Sequence, residues 1–337
     1  MIGSKLAHFE IVERIGAGGM AMVYKAYDPT VDRNVAIKVL PEQYANSDEF
    51  RVRFEREVQA IGKLEHIHIL PIHAYGEQDN HVYMVMRLMQ DGTLKDLIKA
   101  PDPMPYDDIV RILAQVASAL DYAHQHGILH RDIKPANILL DQSNNGYLAD
   151  FGIAHIMGEV VANLTGNAII GTPAYMSPEQ CMGEDLSPAS DQYSLGVVLF
   201  EMITSQTPFQ HKRPIGIMHM HMLDPVPSAR EYRSDLPELA QQVIDRVMAK
   251  EPADRYPNCM SMAAAFEQAL AGKGLRRLAS QRVPRQLRSR IDSALASVQL
   301  NRNPADDAPS NDEGDSASNT MIPGDDPSER LSSLGDE

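Results

Sequence analysis

A chain of 337 residues, 43% hydrophobic and 23% charged, is long enough for one large or two ordinary domains with a proper core. Its formal net charge of −15 argues against a general nucleic-acid binder, which carries a positive balance or a strong basic face. Cys181 and Cys259 stand far apart without a CxxC or CxxH context, so neither a disulfide framework nor a zinc site is indicated, and neither a signal-peptide core nor a run of about 18 apolar residues is present.

From Phe9 to Arg87, short β-branched and aromatic runs alternate with turns. Phe9–Ile15, Met22–Tyr27, Val35–Leu40, Ile69–Tyr75 and Val82–Met86 predict five antiparallel strands. Between the third and fourth, Asn46, Ser47 or Asp48 opens a helix with Phe54, Val58 and Ile61 on one face. Glu57 shares that inward face, whereas Glu55 points to solvent. The first turn, Gly16-Ala17-Gly18-Gly19-Met20-Ala21, is either an ordinary glycine hairpin or a loop whose bare backbone approaches phosphates. A dinucleotide-binding reading fails because a strand, not a helix, follows the turn, and a Walker A reading fails for want of Gly-Lys-Ser/Thr. Lys38 is the one charge inside an apolar strand, on the face of Ala36 and Leu40, where a lysine needs a partner.

Farther along, Ile109, Ile112, Leu113, Val116, Leu120 and Ala123 predict an amphipathic helix over Asp107–His126 that stops at Gly127. Next comes His130-Arg131-Asp132-Ile133-Lys134-Pro135-Ala136-Asn137, and after a short hairpin Asp150-Phe151-Gly152. Asp132 can accept a hydroxyl proton, Asn137 and Asp150 offer hard oxygens to Mg²⁺, and Lys134 can offset charge on a transferred phosphate. The histidine-rich pieces around His66, His124 and His219 lack the spacing of metal motifs and are read as packing residues.

These motifs, in this order from about residue 8 to 270, resemble the protein kinases. Lys134 two residues after Asp132, with Gly171-Thr172, is similar to the Ser/Thr branch, and the short loops look like its bacterial eukaryote-like members. The resemblance implies an α+β, bilobal fold, with a five-stranded sheet plus one helix in an N-lobe (about 8–88) and a mostly helical C-lobe (about 89–271). It implies transfer of the ATP γ-phosphoryl to Ser or Thr hydroxyls of protein substrates, with Mg²⁺ or Mn²⁺ as cofactor.

The implied roles follow residue by residue. Asp132, Lys134, Lys38 and Glu57 form the catalytic set, with Glu57 pairing Lys38. Asn137 and Asp150 hold the metal. The nucleotide lies among Ile15, Gly16, Ala17, Gly18, Gly19, Met20, Ala21, Val23, Ala36, Lys38, Met86, Arg87, Met89 and Leu139. Within this set Met86 stands as gatekeeper, Arg87 and Met89 offer backbone to the adenine edge, and Leu139 is the pocket floor. Ala21 departs from the family's third glycine, and Arg87 from a glutamate often found there. Residues 150–179 resemble an activation segment, with Thr165 as phosphorylation site, Arg131 as phosphate receptor and Thr172 positioning the substrate hydroxyl. Asp191 resembles a buried aspartate that holds the catalytic loop, and Glu179 with Arg255 an ion pair closing the lower lobe.

The kinase domain is expected over 1–272, followed by a basic, partly helical linker over 273–300 and an acidic disordered tail over 301–337, where Ser316 and Thr320 are candidate modification sites. The linker is a solvated segment or a docking piece for a membrane surface, nucleic acid or the tail. The expected setting is cytoplasmic, with a homodimer as the arrangement for trans-autophosphorylation. Two other readings stand beside the kinase: a pseudokinase scaffold that binds partners through the tail, toward which Ala21 leans, and a small-molecule phosphotransferase of similar fold.

Overall fold

Alternating burial along the front of the chain makes a sheet. The computed structural model describes residues 1–18, 21–41, 48–152 and 172–272. It forms β1 (Lys5–Leu6), β2 (Phe9–Gly18), β3 (Ala21–Asp28), β4 (Arg33–Val39), β5 (Ile72–Gln78) and β6 (His81–Arg87). They make one antiparallel six-stranded sheet in the order β1-β2-β3-β4-β6-β5. The sheet thus has one strand more than predicted. The addition is β1, which pairs Lys5 with Glu10 and Leu6 with Phe9, and two residues are too few to show an alternating pattern. The run predicted from Ile69 enters the sheet only at Ile72, since Pro71 has no N–H to give a ladder.

On β4 the alternation separates two apolar layers. Val35, Ile37 and Val39 pack with Phe9, Ile11, Tyr24 and Val85 on one face. Ala36 packs on the other with Leu40, Met84, Met86 and the helix α1 (Asp48–Ile61). Phe54, Val58 and Ile61, spaced four and three apart, are buried, whereas Glu55 is exposed, as the 3.6-residue period requires. The candidate caps Asn46 and Ser47 lie outside the described residues.

The second lobe is mostly helical. It contains α2 (Leu94–Ile98), α3 (Tyr106–Gln125), the hairpin β7 (Ile138–Leu140) and β8 (Gly146–Leu148), α4 (Pro178–Met182), α5 (Pro188–Thr204), α6 (Pro214–Leu223), α7 (Glu238–Val247) and α8 (Cys259–Leu270). All six predicted apolar positions of α3 are buried, and Gly127 follows its end at φ +74°, a conformation that favours glycine. Helix α5 is apolar on nearly every side and buried along most of its length, so it is the axis on which the lobe is assembled. Glu179 and Arg255 form the expected pair, bidentate at 2.7 and 2.9 Å.

Candidate active site

The loop from His130 to Asn137 hangs from α5. The capping box of Ser187 starts this helix, placing Asp191 in its first turn, where a carboxylate suits the positive end of the dipole. Asp191 accepts the N–H of His130 on Oδ2 and that of Arg131 on Oδ1, both at 2.8 Å, and its Oδ2 also meets His124 Nε2 at 2.8 Å. Burial alone would raise this carboxyl, but the bond and charge of His124 outweigh it and hold Asp191 below the usual carboxylate range. Arg131 takes φ +67°, a conformation costly for a side chain of this size. It is held there by Asp191 on its N–H and by Gln180 Nε2, which donates to Arg131 O at 2.9 Å. Burial pushes His130 below the ordinary imidazole value. It is therefore neutral, with Nε2–H donated to Ala149 O at 2.9 Å and Nδ1 accepting the Asp132 N–H at 3.3 Å.

That loop brings the predicted polar residues together. Lys134 Nζ lies 2.7 Å from Asp132 Oδ2 and 3.4 Å from Thr172 Oγ1. Asn137 Nδ2 donates to Asp132 O at 2.8 Å and to Asp132 Oδ2 at 3.0 Å. The Asn137 amide thus commits its N–H₂ to Asp132 and keeps its carbonyl oxygen for a hard cation. Asp150 adopts φ +64° and Gly152 φ +57°, and the Gly152 N–H donates to His130 O at 3.0 Å. Phe151, 2% exposed, packs its ring 4.5 Å from that of His130.

Lys38 pairs with a different carboxylate from the one expected. Its Nζ is 2.8 Å from Asp150 Oδ1, and among the described residues no ion pair joins it to Glu57. The Glu57 carboxylate lies instead beside the turn after Asp150, with Oε2 3.9 Å from where a Cβ on Gly152 would stand. Burial would raise the Asp150 carboxyl, but the Lys38 ammonium outweighs that and holds it below the usual range. Glu57 and Asp150 are both partly exposed, so the pairing follows from where the turn after β8 carries Asp150 rather than from a difference in burial.

The apolar residues predicted to hold a nucleotide converge between the lobes. Ala21, Ala36 and Met86 belong to one buried cluster, against which Val23, Met89 and Leu139 pack. The glycine turn is a hairpin pairing Gly16 with Val23, Ala17 with Met22 and Gly18 with Ala21. Ala21 is thus a buried strand residue, 7% exposed. Ile15 is exposed. Arg87 donates its N–H to Pro71 O at 3.1 Å and lays its guanidinium 5.1 Å over the Tyr147 ring. Behind Met86 a small cavity is lined by Ile61, Leu70, Met84, Asp150 and Phe151. Gly19, Met20, Thr165 and Gly171 lie outside the described residues. Two supports escaped the sequence reading: His124, read as packing, and Gln180. Their partners lie 67 and 49 positions away, and no local pattern signals contacts at that range.

A family profile described as "Protein kinase domain" matches residues 9–267. Among curated proteins, the chain is 39% identical over 270 residues to the serine/threonine-protein kinase PrkC of Bacillus subtilis, covering 80% of this chain and 42% of that one. It is 38% identical over 281 residues to the serine/threonine-protein kinase PknF of Mycobacterium tuberculosis, covering 81% and 58%. The chain therefore spans less than two thirds of the length of these relatives. Among solved structures, the kinase domain of PknI from M. tuberculosis matches with a TM-score of 0.65 and 31% identity, over 80% of this chain and 99% of that one. Among the described residues, no helix is long and apolar enough to cross a membrane.

Proposed function

The chain belongs to the protein kinase family, and from that membership we propose that it is a Ser/Thr protein kinase that transfers the γ-phosphoryl of ATP to protein hydroxyls. The observation that carries this reading is Lys134, which reaches Asp132 Oδ2 at 2.7 Å and Thr172 Oγ1 at 3.4 Å. A cation there can offset charge between a proton acceptor and a substrate-positioning hydroxyl, on the surface where a seryl or threonyl side chain would lie.

In the proposed reaction Asp132 orients the substrate hydroxyl and takes its proton as the oxygen attacks the γ-phosphorus in line. The bond from oxygen to phosphorus forms, the bond to the β–γ bridging oxygen breaks, and ADP leaves with that electron pair. Asp150 and the carbonyl oxygen of Asn137 would hold Mg²⁺, or Mn²⁺ in its place, which when bound neutralises phosphate charge. Lys38 and Lys134 supply fixed positive charge, and the hairpin from Gly16 to Ala21 covers the phosphates. Val23, Ala36, Met86, Met89 and Leu139 enclose the base. For transfer, Lys38 exchanges Asp150 for Glu57, which frees Asp150 for the metal.

Regulation by the activation segment belongs to the same proposal. Among the described residues Arg131 Nε is buried without a hydrogen-bond partner, which supports its role as receptor for a phosphate on Thr165. Autophosphorylation there would proceed between two copies of the chain. We further assign the kinase domain to 1–272, a basic linker to 273–300 and an acidic tail to 301–337, and a cytoplasmic setting for the reaction. The test is incubation with Mg-ATP and a panel of Ser-, Thr- and Tyr-containing peptides, followed by intact mass of peptides and protein. Phosphate on Ser and Thr peptides is the expected result. A protein that binds ATP but transfers nothing would be a pseudokinase scaffold.

A further inference from the structure

Outside the active site, one cluster of side chains has the chemistry of a metal site. Asp121 and His124 stand three residues apart on α3, the spacing that brings two side chains to one helix face. Cys259 opens α8, 138 positions from Asp121 in the chain, and its N–H donates to Asp121 Oδ1 at 2.9 Å. The Met260 N–H donates to Asp121 Oδ2, also at 2.9 Å. The carboxylate thus joins the two helices and keeps further lone pairs. One ligand atom from each of Asp121, His124 and Cys259 lies within 4.8 Å of the other two. A tetrahedral Zn²⁺ with bonds of roughly 2.0–2.3 Å holds its ligands roughly 3.5 Å apart, so side-chain shifts of about 1 Å would close the set.

The orientation of His124 adds an independent argument. Its Nε2 meets Asp191 Oδ2 at 2.8 Å. An ionised carboxylate only accepts, so Nε2 carries a proton, and in the neutral imidazole Nδ1 keeps its lone pair. A carboxylate behind the distal nitrogen is the support that metal-bound histidines have. Asp121 and His124 are partly exposed, whereas Cys259 is 1% exposed. An ion can therefore enter from the carboxylate side and meet a sheltered sulfur.

We propose that Asp121, His124 and Cys259 bind one Zn²⁺ ion, with water as fourth ligand, clamping α8 to α3 behind the catalytic loop. On binding, the Cys259 thiol releases its proton to solvent and its sulfur bonds the ion. Because His124 also holds Asp191, the ion stiffens the support on which His130 and Arg131 hang. The proposal does not depend on the phosphoryl-transfer reading, since neither Asp121 nor Cys259 takes part in that chemistry.

The test titrates the full chain with Zn²⁺ alone by calorimetry, and with Co²⁺ by absorption spectroscopy. Expected are one equivalent of Zn²⁺, an increase in melting temperature, and a thiolate-to-Co²⁺ charge-transfer band. Binding should weaken at least tenfold in Cys259→Ser and persist in Cys181→Ser. The chain has only two cysteines, so a charge-transfer band that survives Cys181→Ser assigns the sulfur to Cys259 even if Cys259→Ser fails to fold. No Zn²⁺ binding, binding without a thiolate band, or a band lost in Cys181→Ser would overturn the proposal.

Discussion

Lys38 Nζ sits 2.8 Å from Asp150 Oδ1, while Glu57, on the inward side of α1, holds its carboxylate beside Gly152. Under the proposed mechanism the lysine changes partners to anchor phosphate. Lys38→Met should abolish autophosphorylation, and radiolabel still entering the variant would locate the phosphate anchor elsewhere. Glu57→Gln should lower peptide phosphorylation at least tenfold, about 1.4 kcal/mol in the barrier. Its melting temperature should stay close to that of the parent, because Glu57 has no ion pair with Lys38 to lose. Equal activity in Glu57→Gln and the parent would remove Glu57 from the mechanism.

Asp132 receives hydrogen bonds from Lys134 and Asn137 on the same oxygen, Oδ2, at 2.7 and 3.0 Å. Asp132→Asn keeps the shape and removes the proton acceptor, so transfer to a Ser/Thr peptide should fall roughly 10²- to 10⁴-fold. Unaltered turnover would mean that Asp132 is not the base.

Among the described residues, Arg131 Nε is buried with no hydrogen-bond partner. If a phosphate on Thr165 fills that gap, Thr165→Ala should lower activity at least tenfold. Arg131→Ala should remove the difference between phosphorylated and dephosphorylated protein. Treatment with a phosphatase, then assay of parent and both variants, measures this. Full activity in dephosphorylated parent protein would exclude the switch.

Arg255 has a fully buried side chain, and that of Glu179 is 4% exposed. Burial alone would raise the Glu179 carboxyl, but its bonds to Arg255 outweigh this and hold it below the ordinary value. Arg255→Ala leaves the buried carboxylate without its cation, and urea unfolding should report a loss of roughly 3–5 kcal/mol. The depressed carboxyl contributes stability above its unfolded value near ~4.3, and this is lost as pH falls through the lower, folded value. Stability of the parent should therefore drop steeply below about pH 4, and Arg255→Ala should have less of it to lose.

His221 is buried between Tyr193, whose hydroxyl is 3.0 Å from Nδ1, and Ala174 O, 3.0 Å from Nε2. Burial lowers its pKa from 6.5 to about 3. The unfolded chain then takes up the proton first, so His221 costs the fold stability as pH falls from about 6.5 towards 3. Acid unfolding monitored by circular dichroism should show this slope in the parent and its reduction in His221→Gln. Identical slopes would mean that His221 protonates in the folded state.

Much of the fold was legible because its elements carry their own periods. The apolar spacing in α3 and the alternation in β4 are local properties, and each matched its structure to within a residue or two. β1 was not legible, because a two-residue strand exists only through its pairing with Phe9 and Glu10. The site was legible as a set of residues for the same local reason: His130 to Asn137 and Asp150 to Gly152 each fall in one short segment.

What the sequence determined by itself is the inventory of chemistry and its order along the chain: a lysine in an apolar strand, an aspartate with a lysine and an amide close by, and a second aspartate ahead of a Phe-Gly turn. What only the tertiary structure decided is pairing across distance. Lys38 could face Glu57 or Asp150, and in the fold its ammonium stands 2.8 Å from Asp150 Oδ1. His124 could be packing alone, and its contact with Asp191 made it a support of the loop from His130 to Asn137. Likewise, Cys259 had no metal-ligand spacing along the chain, yet α8 packing on α3 carries it to Asp121 and His124. Charge and burial select partners in space, and a linear pattern records neither.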